Sequence, residues 1–228
     1  MIKVVVFDLD DTLISEKKYI ESGYQYISNF LRDKYKREDI ELYEILLSLF
    51  EESPLNVFNR ALEKLKIPFT QEHIKELITE YRNHNPQIEF FEDVLPLFKF
   101  LKSKEIKVGI ITDGYKNAQR NKLAAVEANK YVDKIVVTDE LGKEYWKPHP
   151  KAFEMIKEFF QVEYEEIIYI GDNPKKDFYI SNTYPIKTIR IRRENGVYAT
   201  TAYYKGVKED LEVTSLKEIE EVITLGFK

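Results

Sequence analysis

Five short runs in this chain are mainly apolar and β-branched and are bounded by polar or turn residues: IKVVVFDL at 2–9, IKVGIIT at 106–112, KIVVT at 134–138, IIYIG at 167–171 and IKTIRI at 186–191. A strand with one face in water alternates, so mainly apolar, β-branched runs need cover on both faces. Helical patterns lie between most of these runs. Strand alternating with helix is the pattern of a parallel sheet whose crossovers are helices. The expected fold class is therefore α/β, a doubly wound parallel sheet.

The connection between the first two strands is far too long for one crossover helix. Between 15 and 92, apolar residues recur at helical spacing three times: Leu42, Ile45, Leu46 and Leu49; then Phe58, Ala61, Leu62 and Leu65; then Ile74, Leu77, Ile78 and Tyr81. Tyr19, Gly23, Tyr26 and Phe30 form a looser stripe before them. Four amphipathic helices can bury their faces on one another, so residues 15–92 are expected to form an inserted all-helical domain, with 1–14 and 93–228 as the core. ESPLN at 52–56 supplies a Ser-Pro helix start, and RNHNPQ at 82–87 reads as the linker back to the core.

Composition removes several classes of function. There is no cysteine, so disulfides, thiolate metal sites and cysteine nucleophiles drop out, and any metal must sit on oxygen or histidine. With 35 basic against 40 acidic residues and no basic block longer than RIRR at 190–193, a nucleic-acid partner is not expected. No apolar stretch reaches the roughly 18 residues of a membrane span. MIKVVVFDLD starts a strand at once, which leaves no room for a leader, so the expected location is the cytoplasm.

Ligands of open parallel sheets bind beyond the carboxyl ends of the strands, so those ends carry the functional reading. The first holds Asp8 and Asp10, two apart and so on the same side of an extended segment. The second runs Thr112, Asp113, Gly114 into a helix whose free N–H groups favour an anion. Lys147 follows the third run, and the fourth ends in GDNPKKD with Asp172 and Asp177. Carboxylates so clustered repel one another unless a cation sits among them, and with oxygen ligands alone the fitting ion is Mg²⁺. Asp11 is expected to point outward, and Gln119 and Lys122 to lie on a solvated helix face.

This set resembles the haloacid dehalogenase-like superfamily of hydrolases, in its phosphatase branch with a helical cap after the first motif. Asp8, Asp10 and Thr12 match its Asp-x-Asp-x-Thr; Thr112 matches the hydroxyl of the second motif, Lys147 the lysine of the third, and Gly171, Asp172 and Asp177 the Gly-Asp-x-x-x-x-Asp of the fourth. The resemblance implies that Asp8 is the nucleophile and forms an aspartyl-phosphate, and that Asp10 is general acid and then base. Thr112, with backbone N–H groups near Asp113 and Gly114, would hold phosphoryl oxygens, and Lys147 would screen charge between Asp8 and phosphate. Mg²⁺ would be held by Asp8, Asp172 and the backbone carbonyl of Asp10, with Asp177 completing the acidic cluster directly or through water. The implied substrate is a small phosphorylated metabolite, and the implied assembly a monomer or homodimer. Two alternatives are a 2-haloacid dehalogenase and a noncatalytic binding module on the same fold. Asp10 and Thr12 argue against the first, and the complete motif set against the second. The segment YISNTYPIKTIRI lacks the glycine that many relatives place before the last strand, so Asn182 is expected to take positive φ there.

Overall fold

The computed structural model describes residues 1–36, 41–194, 196 and 202–227. It divides into two compact units, one of residues 1–17 with 88–228 and one of residues 18–87.

The first unit is built on β1 (Val4–Phe7), β2 (Lys107–Thr112), β3 (Lys134–Val137), β4 (Ile167–Gly171), β5 (Lys187–Ile191) and β6 (Leu211–Val213). They form one sheet in the order β3-β2-β1-β4-β5-β6, and every neighbouring pair is parallel. The doubly wound expectation holds, and a sixth strand is added that the sequence reading did not identify. Alternate residues of the strands serve two cores, as a pleat requires. Val5, Phe7, Val108, Ile110, Ile168 and Ile170 pack in one core with Val94, Leu97 and Leu101 of α5 (Val94–Ser103) and Ile219 of α9 (Glu218–Leu225). Val4, Val6, Ile111, Ile167 and Tyr169 pack in the other with Ala152, Phe153 and Ile156 of α7 (Lys151–Phe160). Both faces are covered, which is why β1 and β4 carry no polar alternation.

Register places the site. Phe7 lies opposite Ile110 on one side and Ile170 on the other, so Asp8 leaves the sheet level with Ile111 and Gly171, the residues just before Thr112 and Asp172. The chain then turns tightly: the Leu9 carbonyl accepts from the N–H groups of Leu13 at 2.9 Å and Ile14 at 3.2 Å. Asp11 sits at φ 50° in that turn and accepts from the N–H of Glu16 at 3.0 Å. It is buried, contrary to the outward position expected, because its carboxylate caps the following helix. Past the turn, Ile14 pairs antiparallel with Phe90, and Phe91 N–H donates to the Leu13 carbonyl at 2.9 Å. Asn182 lies inside α8 (Ile180–Thr183) and is not among the positive-φ residues, so that turn closes without the conformation expected of it.

The second unit contains most of α1 (Glu16–Tyr35), with α2 (Leu42–Glu52), α3 (Val57–Lys64) and α4 (Gln71–Asn83). The buried residues follow the predicted stripes: Leu42, Leu46 and Leu49, then Ala61 and Leu62, then Ile74 and Leu77. Gly23 lets the Tyr81 ring lie against α1, since a β-carbon there would stand 2.3 Å from it. Thr70 and His73 form a capping box at the start of α4. His84 is buried, in ring contact with Tyr19, Tyr26 and Tyr81. No helix among the described residues is long and apolar enough to cross a membrane.

Candidate active site

The groups named at the strand ends of the first unit converge, with one redistribution. Lys147 is the hub. Its ammonium lies 2.5 Å from Asp8 Oδ1, 2.8 Å from Asp177 Oδ1 and 2.8 Å from the Tyr169 hydroxyl, which itself donates to Asp177 Oδ1 at 2.9 Å. Burial alone would discharge this lysine, but Asp177 and Asp8 outweigh it and hold the ammonium firmly protonated. Asp177 Oδ2 accepts from the N–H of Asn173 at 2.9 Å and packs on Gly171, where a β-carbon would stand 2.6 Å from that oxygen. Glycine is thus required in the fourth motif by close approach of a side chain.

Asp8, Asp172 and Asp177 each offer an oxygen within 4.8 Å of the others. Burial pushes the Asp8 carboxyl up to about 6, against the pull of Lys147 and Lys176. Burial, and then the charges of Asp177 and Asp8, push Asp172 well above the ordinary range. Asp8 Oδ2 is buried with no hydrogen-bond partner. A divalent cation would answer all three observations, because it supplies the charge that the two raised carboxylates lack and a partner for the orphaned oxygen. Hard oxygen donors fit Mg²⁺.

Asp10 goes elsewhere. Its Oδ1 accepts from Lys122 at 2.7 Å and its Oδ2 from Gln119 at 3.1 Å, both on α6 (Lys116–Ala125), so its carboxylate does not join the acidic triad. The metal role expected of Asp10 was its backbone carbonyl, which this leaves unaffected. Burial raises the Asp10 carboxyl but Lys122 outweighs it, and the net position is below the ordinary value. Lys122 also donates to Glu16 Oε2 at 2.6 Å, and burial together with the Asp10 charge raises Glu16 to about 8. Gln119 and Lys122 are buried, not solvated as expected, because the first turns of α6 face the loop after β1.

Thr112 is fully buried and donates to Gln119 Oε1 at 3.0 Å. Asp113 Oδ1 accepts from the Thr138 hydroxyl at 2.7 Å and the Lys147 N–H at 3.1 Å, so this side chain anchors the third-motif loop and leaves only its backbone for a ligand. Gly114 has φ 130° and lies under Gln119, whose Nε2 would be 2.5 Å from a β-carbon. At the start of α6 the Lys116 N–H is already taken by Asp139 Oδ2 at 2.9 Å.

The sequence reading passed over Tyr169, Lys176 and Glu16. Tyr169 carried a signal, a phenol in an otherwise aliphatic buried strand. Lys176 stands directly before Asp177 and 3.8 Å from Asp113 Oδ2; burial works against its charge, but Asp8 and Asp177 hold it protonated. Glu16 carried no signal beyond its place at a helix start.

Residues 5–191 match the family model described as haloacid dehalogenase-like hydrolase. The chain is 30% identical over 196 residues to a glyceraldehyde 3-phosphate phosphatase of Pyrococcus abyssi, covering 83% of this chain and 81% of that one. It is 30% identical over 178 residues to the pyrophosphatase PpaX of Bacillus cereus, 75% of each chain. Among solved structures, a putative beta-phosphoglucomutase from Thermotoga maritima shares the fold with a TM-score of 0.68 at 20% identity, covering 98% of this chain and 99% of that one.

Proposed function

The chain belongs to the haloacid dehalogenase-like hydrolases, and we propose that it is a Mg²⁺-dependent phosphatase that hydrolyses a small phosphomonoester through an aspartyl-phosphate. The observation that carries this reading is Asp8, which has one oxygen held by Lys147 and the other buried without a partner beside Asp172.

In the first step a carboxylate oxygen of Asp8 attacks phosphorus, the bond to the ester oxygen breaks, and Asp10, in the fraction of molecules in which its carboxyl is protonated, gives that proton to the departing alkoxide. In the second, water attacks the same phosphorus and gives its proton to Asp10, the bond to Asp8 breaks, and phosphate leaves. Lys147 holds Asp8 in place and offsets negative charge there, and the backbone N–H groups near Asp113 and Gly114 receive phosphoryl oxygens, joined by the Thr112 hydroxyl once its proton turns away from Gln119 Oε1. Asp8, Asp172 and the Asp10 carbonyl would hold the Mg²⁺. Asp177, whose oxygens are already taken by Lys147, Tyr169 and the Asn173 N–H, would add charge from behind Lys147. When bound, the ion neutralises charge on the phosphoryl group during transfer.

The test is a phosphate-release screen of small phosphoesters with Mg²⁺, with a triose phosphate and pyrophosphate first because the relatives are named for them. Asp8→Asn is expected to abolish turnover, and acid-quenched wild type to carry label on Asp8. Halide release from 2-haloacids without phosphate release would replace this reading with the dehalogenase one.

A further inference from the structure

We propose that Gln119 and Lys122 are positioning residues for Asp10, acting as a two-point clamp that fixes the acid–base carboxylate, with Gln119 held in turn by the Thr112 hydroxyl. The inference rests on the acid–base reading of Asp10 given above.

The two side chains are three apart on α6 and so share one face of it. Each takes one oxygen of Asp10, Lys122 at 2.7 Å and Gln119 at 3.1 Å. A carboxylate held at both oxygens by donors from a packed helix has one orientation. One orientation is what a carboxylate requires that takes a proton from a single water in the second step and returns it to a single ester oxygen in the first, because proton transfer falls steeply with misplacement.

Gln119 does more than hold Asp10. Its amide oxygen accepts from Thr112 while its amide nitrogen donates to Asp10, so one rigid planar group spans the two motifs. Reversing the amide would set an oxygen against the Asp10 carboxylate, so the pairing admits one orientation. Gly114 makes room for it, since any side chain there would meet the Gln119 nitrogen.

Lys122 is anchored in turn by Glu16 at 2.6 Å, and its side chain is 2% exposed while that of Asp10 is 18% exposed. Burying an ammonium opposes folding, and an apolar residue would fill the same space without that cost. The geometry spends that cost on aiming a carboxylate that is itself partly open to solvent.

The test is a double-mutant cycle read through the leaving group. Lys122→Met, Lys122→Arg and Gln119→Leu are made in the full chain, alone and together with Asp10→Asn, and assayed with Mg²⁺ on glycerol 2-phosphate and on p-nitrophenyl phosphate. An alkoxide needs the proton from Asp10 and nitrophenolate does not. Because the second step asks Asp10 for a base with either ester, the comparison is made on the first turnover, in which the leaving group departs. Lys122→Met and Gln119→Leu are therefore expected to slow first-turnover release of glycerol by about 10- to 100-fold, part of the full worth of a positioned acid. First-turnover release of nitrophenolate should keep its rate and then give way to slow steady turnover, while Lys122→Arg recovers part of the alkyl rate. On the Asp10→Asn background the same substitutions should cost nothing further. Equal losses in first-turnover release of both leaving groups, or losses that multiply on that background, would overturn the inference. If Lys122→Met fails to fold by circular dichroism, Gln119→Leu, which removes no charge, carries the same comparison. If Asp10→Asn alone slows first-turnover release of both leaving groups equally, the acid–base reading of Asp10 falls and the inference with it. A selective Asp10→Asn loss beside unselective clamp losses overturns the inference alone.

Discussion

Replacing Asp93 by asparagine removes one charge from a buried crossing point of the first unit. Asp93 is 4% exposed and accepts from Arg193 Nη1 at 2.8 Å and Nη2 at 3.0 Å, from the Ser215 hydroxyl at 3.1 Å and from the Leu216 N–H at 2.9 Å. Arg193 also donates through Nη2 to the Thr12 carbonyl at 2.7 Å, so the pair ties the first-motif loop to the start of α5 and to the C-terminal segment. Breaking a buried pair by removing one partner costs about 3–5 kcal/mol. Asparagine keeps an oxygen for the Leu216 N–H, which puts the loss at the lower end, about 3 kcal/mol. In a chain of 228 residues each kcal/mol moves Tm by about 2–4 °C, so a drop of about 6–12 °C is expected. The pH dependence has a fixed sign. Burial raises the Asp93 carboxyl, the hydrogen bonds and charge of Arg193 together with the Leu216 N–H and the Ser215 hydroxyl outweigh it, and the folded value lies below the ordinary 3.8. The charge therefore stabilises fully above the unfolded value and ceases to do so as the pH falls through the folded one. Melting curves of both proteins between pH 7 and pH 3 measure the difference, in which carboxylates common to both cancel. It should be constant above about pH 5 and shrink below about pH 4. A Tm change under about 2 °C at pH 7, or a gap that widens in acid, would refute the reasoning.

Three further outcomes are expected. Activity should vanish in excess EDTA and return with Mg²⁺ but not with Ca²⁺, whose larger and looser coordination misplaces Asp8; undiminished turnover in EDTA would remove the metal from the reaction. Tyr169→Phe should destabilise the first unit by about 1–2 kcal/mol in urea melts, the worth of a hydrogen bond to a charged group less the direct Lys147–Asp177 contact that remains at 2.8 Å, and an unchanged midpoint would show that the hydroxyl is idle. Replacing residues 18–87 by a short linker should leave the sheet folded, because Leu13 with Phe91 and Ile14 with Phe90 already bring the cut ends together; a product without a cooperative melt would contradict this.

The strands were legible because a sheet covered on both faces forces unbroken apolar runs, and VVVF and IIYIG have no other reading. β6 was not, since LEV at 211–213 is three residues long with one of them buried, which leaves no pattern to read. The family motifs located the strand-end groups but not which way each side chain turns. The argument that Asp8 and Asp10 share a side assumed an extended chain, whereas β1 ends at Phe7 and the backbone then turns through Asp11 at φ 50°. Asp8 consequently meets Lys147 and Asp10 meets α6. Gln119 and Lys122 looked like solvated helix residues because polar type at helical spacing ordinarily means solvent. Their burial follows from a tertiary partner 109 and 112 residues away, which no local pattern records.

The strand order bears on how the chain is made. β1 lies between β2 and β4, yet it precedes them in the sequence by about a hundred residues and more, so a growing polypeptide holds VVVF with neither neighbour until β2 is made. Its second edge waits until Ile167–Gly171 has been made. The helices of 18–87 are complete well before then, leaving the most apolar strand of the nascent protein as the open one. Asp8 and Lys147, 139 residues apart, meet only once that wait is over, so catalytic competence is a late event in the life of each molecule.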